Sequence, residues 1–230
     1  MDSLFKEVEI SWDSSLLGGR SAPQAVKITT PDFFTKFYPR LNDWDWKSYL
    51  QNKDEFYERI PRPLHGVMDY KTPIDYMQVY FYRPGMEACV SKNVKNLFKS
   101  LNVNESQYRM IPIELGQVPE EYYVLFYPFT GLFEEAGVIW SQCIFVDRYN
   151  YEEVHFTGKD DFLTNLHHCQ KAVKAKRIVL PIKYSSFDVI NLWHSGRCFL
   201  SERITSSLSK IRGTEIVTSK RTDFCELLFE

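Results

Sequence analysis

The chain has 230 residues, enough for one large domain or two small ones around a substantial core. Aromatic residues make up 16% of it, which excludes a disordered chain and points to a packed globular protein. A formal net charge of -2 gives no global reason for a surface that coats nucleic acid or membrane.

The chain opens on a strand pattern, "FKEVEISW", followed by a polar turn through Gly18 and Gly19. The opening "MDSLFKEVEISWD" is acidic and lacks the charged-then-apolar order of a signal peptide, and no apolar run approaches bilayer length. These features predict a cytoplasmic location, with neither membrane nor nucleic acid as a partner. A second strand, "AVKIT", precedes "LNDWDWKSYLQNKDEFYERI", where Trp46, Tyr49, Leu50, Phe56, Tyr57 and Ile60 fall at helical spacing. Asn42 is placed to cap that helix, with Asp45 three residues on. "IPRPLHG" reads as a proline-punctuated connection, and "DYMQVYFY", "YRMIPIEL", "EEYYVLFYP" and "GVIWSQCIFVD" read as strands. "YEEVHF" can pair with the last of these across a turn at Arg148 to Asn150. From Asp160 the pattern turns helical, with Phe162, Leu166, Cys169 and Val173 on one stripe. "RIVLPIKY" and "DVINLW" then return to strand, and "TEIVTS" and "DFCELLFE" close the chain.

Interleaved strands and helices without a linker predict an α+β fold of mixed sheets with packed helices. The halves are 1–115 and 116–230, each α+β, in one compact unit. Cys89, Cys143, Cys169, Cys198 and Cys225 are odd in number and sit in apolar surroundings, which predicts reduced core thiols.

One pattern occurs twice. "CVSKNVKNLFKSL" and "CFLSERITSSLSKI" align with Ser91 on Ser201, Val94 on Ile204 and Phe98 on Leu208. Each copy reads as a strand end, a serine cap and an apolar helical stripe. Each also follows a strand that begins with an aspartate, in "DYMQVYFY" and "DVINLW". The pattern predicts two related strand-strand-helix-strand units, with duplication and coincidence both open. Neither serine has the glycine-flanked setting of a nucleophile, so both are read as caps.

Chemistry-bearing motifs are sparse. There is no phosphate loop, dinucleotide fingerprint, His-Glu-x-x-His or Cys-x-x-Cys pair. His167, His168 and Cys169 are consecutive, whereas zinc ligands on a helix stand three or four apart, so surface histidines beside a core thiol are expected. Gly18-Gly19 with Arg20 reads as a plain turn, and His65, His155 and His194 have no partner spacing. No cofactor, metal or catalytic residue is predicted.

Charge is segregated along the chain. Gly116 to Asp161 holds nine acidic residues against two basic, while Phe162 to Arg221 holds eleven basic against three acidic. An acidic stretch mixed with aromatics suits a surface for a basic protein, which singles out Glu120, Glu121, Glu134 and Glu135. Asp43, Trp44 and Asp45 join them, since Trp44 stands off the helical stripe of Trp46; it reads either as a staple at the helix entrance or as an exposed anchor.

From Glu120 to Val217 the order "EEYYVLFYP", "VIWSQCIFVD", "RIVLPIKY", "DVINLW", "GRCFLSERITSSLSKIRGTEI" resembles the immunity family eleven of bacterial polymorphic-toxin systems, first catalogued as a domain of unknown function. Ser201, Glu202, Arg203, Ile204, Leu208, Gly213 and Ile216 carry the likeness, while "IRGTEI" departs from the family's usual order of Thr before Gly. The resemblance implies a non-enzymatic antitoxin whose partner is a cognate toxin, and it carries over no catalytic residue. The competing expectation is an enzyme with a site assembled from dispersed groups such as Asp147, Glu153 and His155.

Overall fold

The computed structural model describes residues 4–11, 25–31, 33, 57–69, 73–79, 86–116, 118–132, 136–167, 173–193, 197–222 and 224–230. The fold is α+β, and contacts divide it into two compact units. One, the barrel unit, is Glu9–Pro128 with Ser206–Glu215; the second is Met1–Val8 with Phe129–Thr205 and Ile216–Glu230.

Strands β1 (Phe5–Lys6) and β2 (Val8–Ile10) open the chain. The barrel unit contains β3 (Ala25–Ile28), β4 (Leu64–Met68), β5 (Tyr76–Val79), β6 (Met86–Ser91), β7 (Arg109–Leu115) and β8 (Tyr122–Phe126). They close in the order β3-β4-β7-β8-β6-β5. Residue alternation explains the closure: Ile111, Ile113 and Leu115 of β7 are buried while Pro112 and Glu114 face outward, and Leu64 and Met68 of β4 turn inward beside exposed His65 and Val67. Helix α1 (Lys92–Ser100) sinks Val94 and Phe98, and the Phe98 ring meets Tyr108 edge-on at 5.0 Å. A closed barrel leaves no unpaired strand edge.

The second unit has β9 (Gly131–Leu132), β10 (Ile144–Asp147), β11 (Glu153–Val154), helix α2 (Lys159–His167), β12 (Val173–Leu180), β13 (Val189–Trp193), β14 (Arg197–Ser201) and β16 (Glu226–Phe229). Helix α3 (Glu202–Leu208) and β15 (Thr214–Ile216) lie between β14 and β16 in the chain. Its sheets run β1-β14-β13-β9 and β11-β10-β12-β16. Phe145, Phe156, Phe162 and Phe199 anchor the core, with edge-on contacts of 4.9 Å for Phe145–Phe156 and 5.3 Å for Phe156–Phe162. Each such pair stabilises by about 0.5–1.5 kcal/mol beyond its buried area.

Four local expectations are corrected. Of "GVIWSQCIFVD" only Ile144–Asp147 is strand, since Trp140–Gln142 forms a 3-10 turn closed by the Cys143 amide on the Trp140 carbonyl. The helix from Asp160 does not extend to Val173, which opens β12 opposite Asp147; the β-branched run through "VKAKRIVL" gains a strand on either side instead. "RIVLPIKY" stops being strand at Pro181, which has no N–H for the ladder, and Ile182–Ser186 is a 3-10 turn. β4 begins inside "IPRPLHG", because Leu64, Gly66 and Met68 alternate inward. The helix expected through Trp46 to Ile60 lies outside the described residues as far as Phe56; Tyr57 and Ile60 are buried.

The echoed segments occupy matching places. β5 pairs antiparallel with β6 so that Tyr76 faces Val90, and β13 pairs with β14 so that Val189 faces Leu200. The Ser91 amide donates to the Asp75 carbonyl and the Ser201 amide to the Asp188 carbonyl, both at 2.9 Å. The likeness extends further, because four of the barrel's six pairings recur with the same direction. β10-β12, β12-β16, β1-β14 and β14-β13 repeat β3-β4, β4-β7, β8-β6 and β6-β5. In this correspondence β1, from the opposite end of the chain, stands where β8 stands in the barrel. The Lys92 amide donates to Glu121 just before β8, and the Glu202 amide donates to Leu4 just before β1.

None of the four described cysteines forms a disulfide, and Cys169 lies outside the described residues. Burial pushes the Cys89 and Cys225 thiols far up, and it raises that of Cys143 against the N–H that Val179 donates to its sulfur. An iodoacetamide pulse on the folded protein at about pH 8 is therefore expected to leave Cys89, Cys143 and Cys225 unmodified, with labelling only after denaturation. Peptide mass mapping reads the result, and native labelling at Cys89 would contradict it.

Candidate partner-binding surface

Of the acidic and aromatic residues singled out by sequence, Glu120 and Glu121 are described; Asp43, Trp44, Asp45, Glu134 and Glu135 lie outside the described residues. Glu120 and Glu121 end the connection from β7 to β8, on the wall of a polar groove of about 500 Å³ in the barrel unit. Asp75 enters it just before β5, Lys92 and Asn93 come from the first turn of α1, and Arg212 follows α3.

The serine cap sets this geometry. The Ser91 hydroxyl accepts from the Asn93 amide at 3.2 Å and donates to Asp75 Oδ1 at 2.6 Å. The Asn93 side chain donates to the same oxygen at 3.0 Å. Asp75 is thereby held in the lining of the groove. Glu121 is exposed and accepts on both oxygens: Lys92 Nζ donates to Oε1 and the Tyr123 hydroxyl to Oε2, both at 2.7 Å. Those bonds, Lys92 first, hold the Glu121 carboxyl below its usual range, so it stays ionised as pH falls into the ordinary carboxylate region. The Lys95 ammonium lies 4.0 Å over the Tyr123 ring and completes the network. Glu120 is exposed at the rim.

The second serine is set in a related way. Ser201 Oγ donates to Asp188 Oδ1 at 2.8 Å, and Arg203, two residues on as Asn93 is from Ser91, donates to both oxygens of the same carboxylate, with Nε at 2.6 Å. Asp188 is buried, so this charged pair fixes the strand end to the helix start. Both serines serve architecture. The aspartates that receive them were visible in sequence only as the first letter of each preceding strand.

The dispersed groups considered for an enzyme lie in the second unit. Buried Asp147 accepts the Tyr149 and Asn150 amides of the following turn, Glu153 is paired with Lys176 at 2.8 Å, and His155 is exposed. His65 Nδ1 lies 3.3 Å from Glu114 on the neighbouring strand, an exposed pair. His168 and Cys169 lie outside the described residues, as does the His167 side chain. Among the described residues no three His, Cys, Asp or Glu side chains converge as metal ligands, and no helix is long and apolar enough to cross a membrane.

Contacts between elements partly neutralise the acidic stretch seen along the chain, and hydrogen bonds hold a further carboxylate. Glu121 meets Lys92, Glu153 meets Lys176, and Asp161 is taken up by Thr157 and Asn165. Compared with known proteins, the sequence matches no family model and no curated protein.

Proposed function

We propose that the chain is a non-enzymatic binding protein, an immunity protein that neutralises a cognate bacterial toxin in the cytoplasm by covering its active site or substrate groove. The observation that carries this reading is the groove in which hydrogen-bonded Asp75 and Glu121 stand beside Glu120, both glutamates being exposed. Fixed carboxylates accept hydrogen bonds from Lys or Arg of a partner without first losing rotamer freedom, so they favour a cationic loop of a toxin. The likeness of the segment around Ser201 to an immunity family points the same way.

Co-expression with the toxin-like product of a neighbouring gene tests the proposal. The expected result is a purifiable complex and protected growth, both weakened at least about tenfold by Glu120→Lys with Glu121→Lys. No complex and no protection would remove the antitoxin reading. A complex indifferent to the double charge reversal would move the interface away from this groove.

A further inference from the structure

A different surface, on the second unit, has opposite charge and its own presentation of aromatic side chains. The turn between β10 and β11 carries Tyr149 and Tyr151, which are 83% and 69% exposed. Exposed tyrosines on a mobile loop would be unremarkable, but this turn is clamped. Asp147 Oδ1 accepts the Tyr149 amide at 2.7 Å, the Asp147 carbonyl accepts the Tyr151 amide at 3.0 Å, and Asn150 Oδ1 accepts the Glu152 amide at 3.1 Å. Tyr151 has φ +60°, a left-handed conformation that costs a side-chain-bearing residue and that glycine adopts freely. A strained tyrosine held out to solvent is the pattern expected where the side chain itself is needed.

Tyr151 also borders a groove of about 500 Å³. Its lining includes apolar Ile144 and Val146 of β10, together with Lys174, Lys176, Arg177 and Arg221 and one carboxylate, Glu226. Lys174 lies 5.9 Å from the Tyr151 ring and donates to the Thr222 carbonyl at 3.1 Å, which fixes the cation beside the aromatic. Arg177 is oriented by Glu226 at 2.7 Å. A pre-organised aromatic tip, apolar lining residues and a surplus of oriented cations together make the elements of a protein-docking hot spot.

We propose that the tyrosine-tipped turn and the cationic groove beside it form a docking surface for an acidic, partly apolar segment of another protein. Charge complementarity selects the sign of the occupant. The apolar lining residues, the Glu226 carboxylate beside Arg177 and the pairing of Lys176 with Glu153 outside the lining select a peptide over a phosphate backbone, which needs an uninterrupted cationic track. The surface is independent of the antitoxin reading, because it uses none of the residues of the acidic groove.

Fluorescence anisotropy on the full chain tests it, with a fluorescein-labelled peptide rich in glutamate with interspersed leucines as the probe. A lysine-for-glutamate version of the peptide and an oligothymidylate of equal length complete the set. Saturable binding of the glutamate peptide alone is expected, weakening as salt rises. Tyr149→Ala and Lys174→Glu are each expected to lower affinity about tenfold. Tyr151→Gly should lower it similarly while leaving thermal stability unchanged or raised, since it relieves the left-handed backbone. Glu120→Lys with Glu121→Lys should leave it unchanged, so failure here and failure of the antitoxin reading are read separately. Absence of binding, tighter binding of the oligothymidylate, or wild-type affinity in Lys174→Glu and Tyr151→Gly would overturn the proposal.

Discussion

Phe5→Ala is expected to destabilise the second unit by about 3–5 kcal/mol, the usual cost of removing a large aromatic from a packed core. Phe5 is 3% exposed although it lies five residues from the start of the chain, and its ring meets Phe229 at 5.2 Å. Its strand is the edge of the sheet, tied to β14 and held by flanking backbone bonds. Phe5 faces Ser201 and Lys6 faces Leu200 in register, the Leu4 carbonyl accepts the Glu202 amide, and the Glu7 carbonyl accepts the Val217 amide. Glu7 also receives Arg197 Nη1 at 2.6 Å in a pair of which each side chain is about an eighth exposed. β1 is therefore a structural member of the unit built from the other end of the chain. Hydrogen exchange measures the effect: amides of Ile190, Asn191 and Phe199 should lose protection, with Val124 and Leu125 of the barrel as the internal reference. A loss below about 1 kcal/mol, or an equal loss at both sets of amides, would contradict the closing role of β1.

Gly213→Ala is expected to cost the barrel unit about 3 kcal/mol, combining the left-handed backbone penalty with overpacking. Gly213 has φ +101°, and an added Cβ would stand 2.2 Å from the Tyr76 carbonyl oxygen and 2.9 Å from Ile74 Cδ1. The neighbouring backbone cannot yield cheaply. The Arg212 carbonyl accepts the Tyr76 amide at 3.1 Å, and the Gly213 carbonyl accepts the Ser11 amide at 2.8 Å. Gly116→Ala in the same unit is the control, since its added Cβ meets nothing within 4 Å; it should change stability by no more than about 0.5 kcal/mol. Denaturant midpoints of the two variants decide the matter, and equal midpoints would refute the close-approach argument.

Much of the secondary structure is legible because its causes are local. The cap of α1 by Ser91 follows from capping chemistry, and the buried stripe of Val94, Phe98, Ile204 and Leu208 from helical period alone. The strands at Arg109–Leu115 and Tyr122–Phe126 follow from aromatic and β-branched runs. Legibility fails where a neighbour distant in sequence decides. The stripe through Phe162 predicts a helix reaching Val173, but β10 and β16 recruit Val173–Leu180 as a strand between them. The acidic stretch from Gly116 to Asp161 predicts an acidic face, and it is partly neutralised because Lys92 and Lys176 arrive from other elements.

The sequence by itself determined an α+β chain with two serine-led helices, each after a strand introduced by aspartate, because period, cap and turn chemistry act over a few residues. Only the tertiary structure decided what those aspartates do, that β3 to β8 close into a barrel, and that β1 completes the sheet of β14. Those outcomes depend on pairing between segments tens to nearly two hundred residues apart, as between Glu7 and Arg197. They also depend on where a carboxylate lands once strands are in register. The surfaces that carry the functional proposals belong to this second class. The Asp75–Glu121 groove and the Tyr151–Lys174 groove each gather side chains from elements whose adjacency no local pattern encodes.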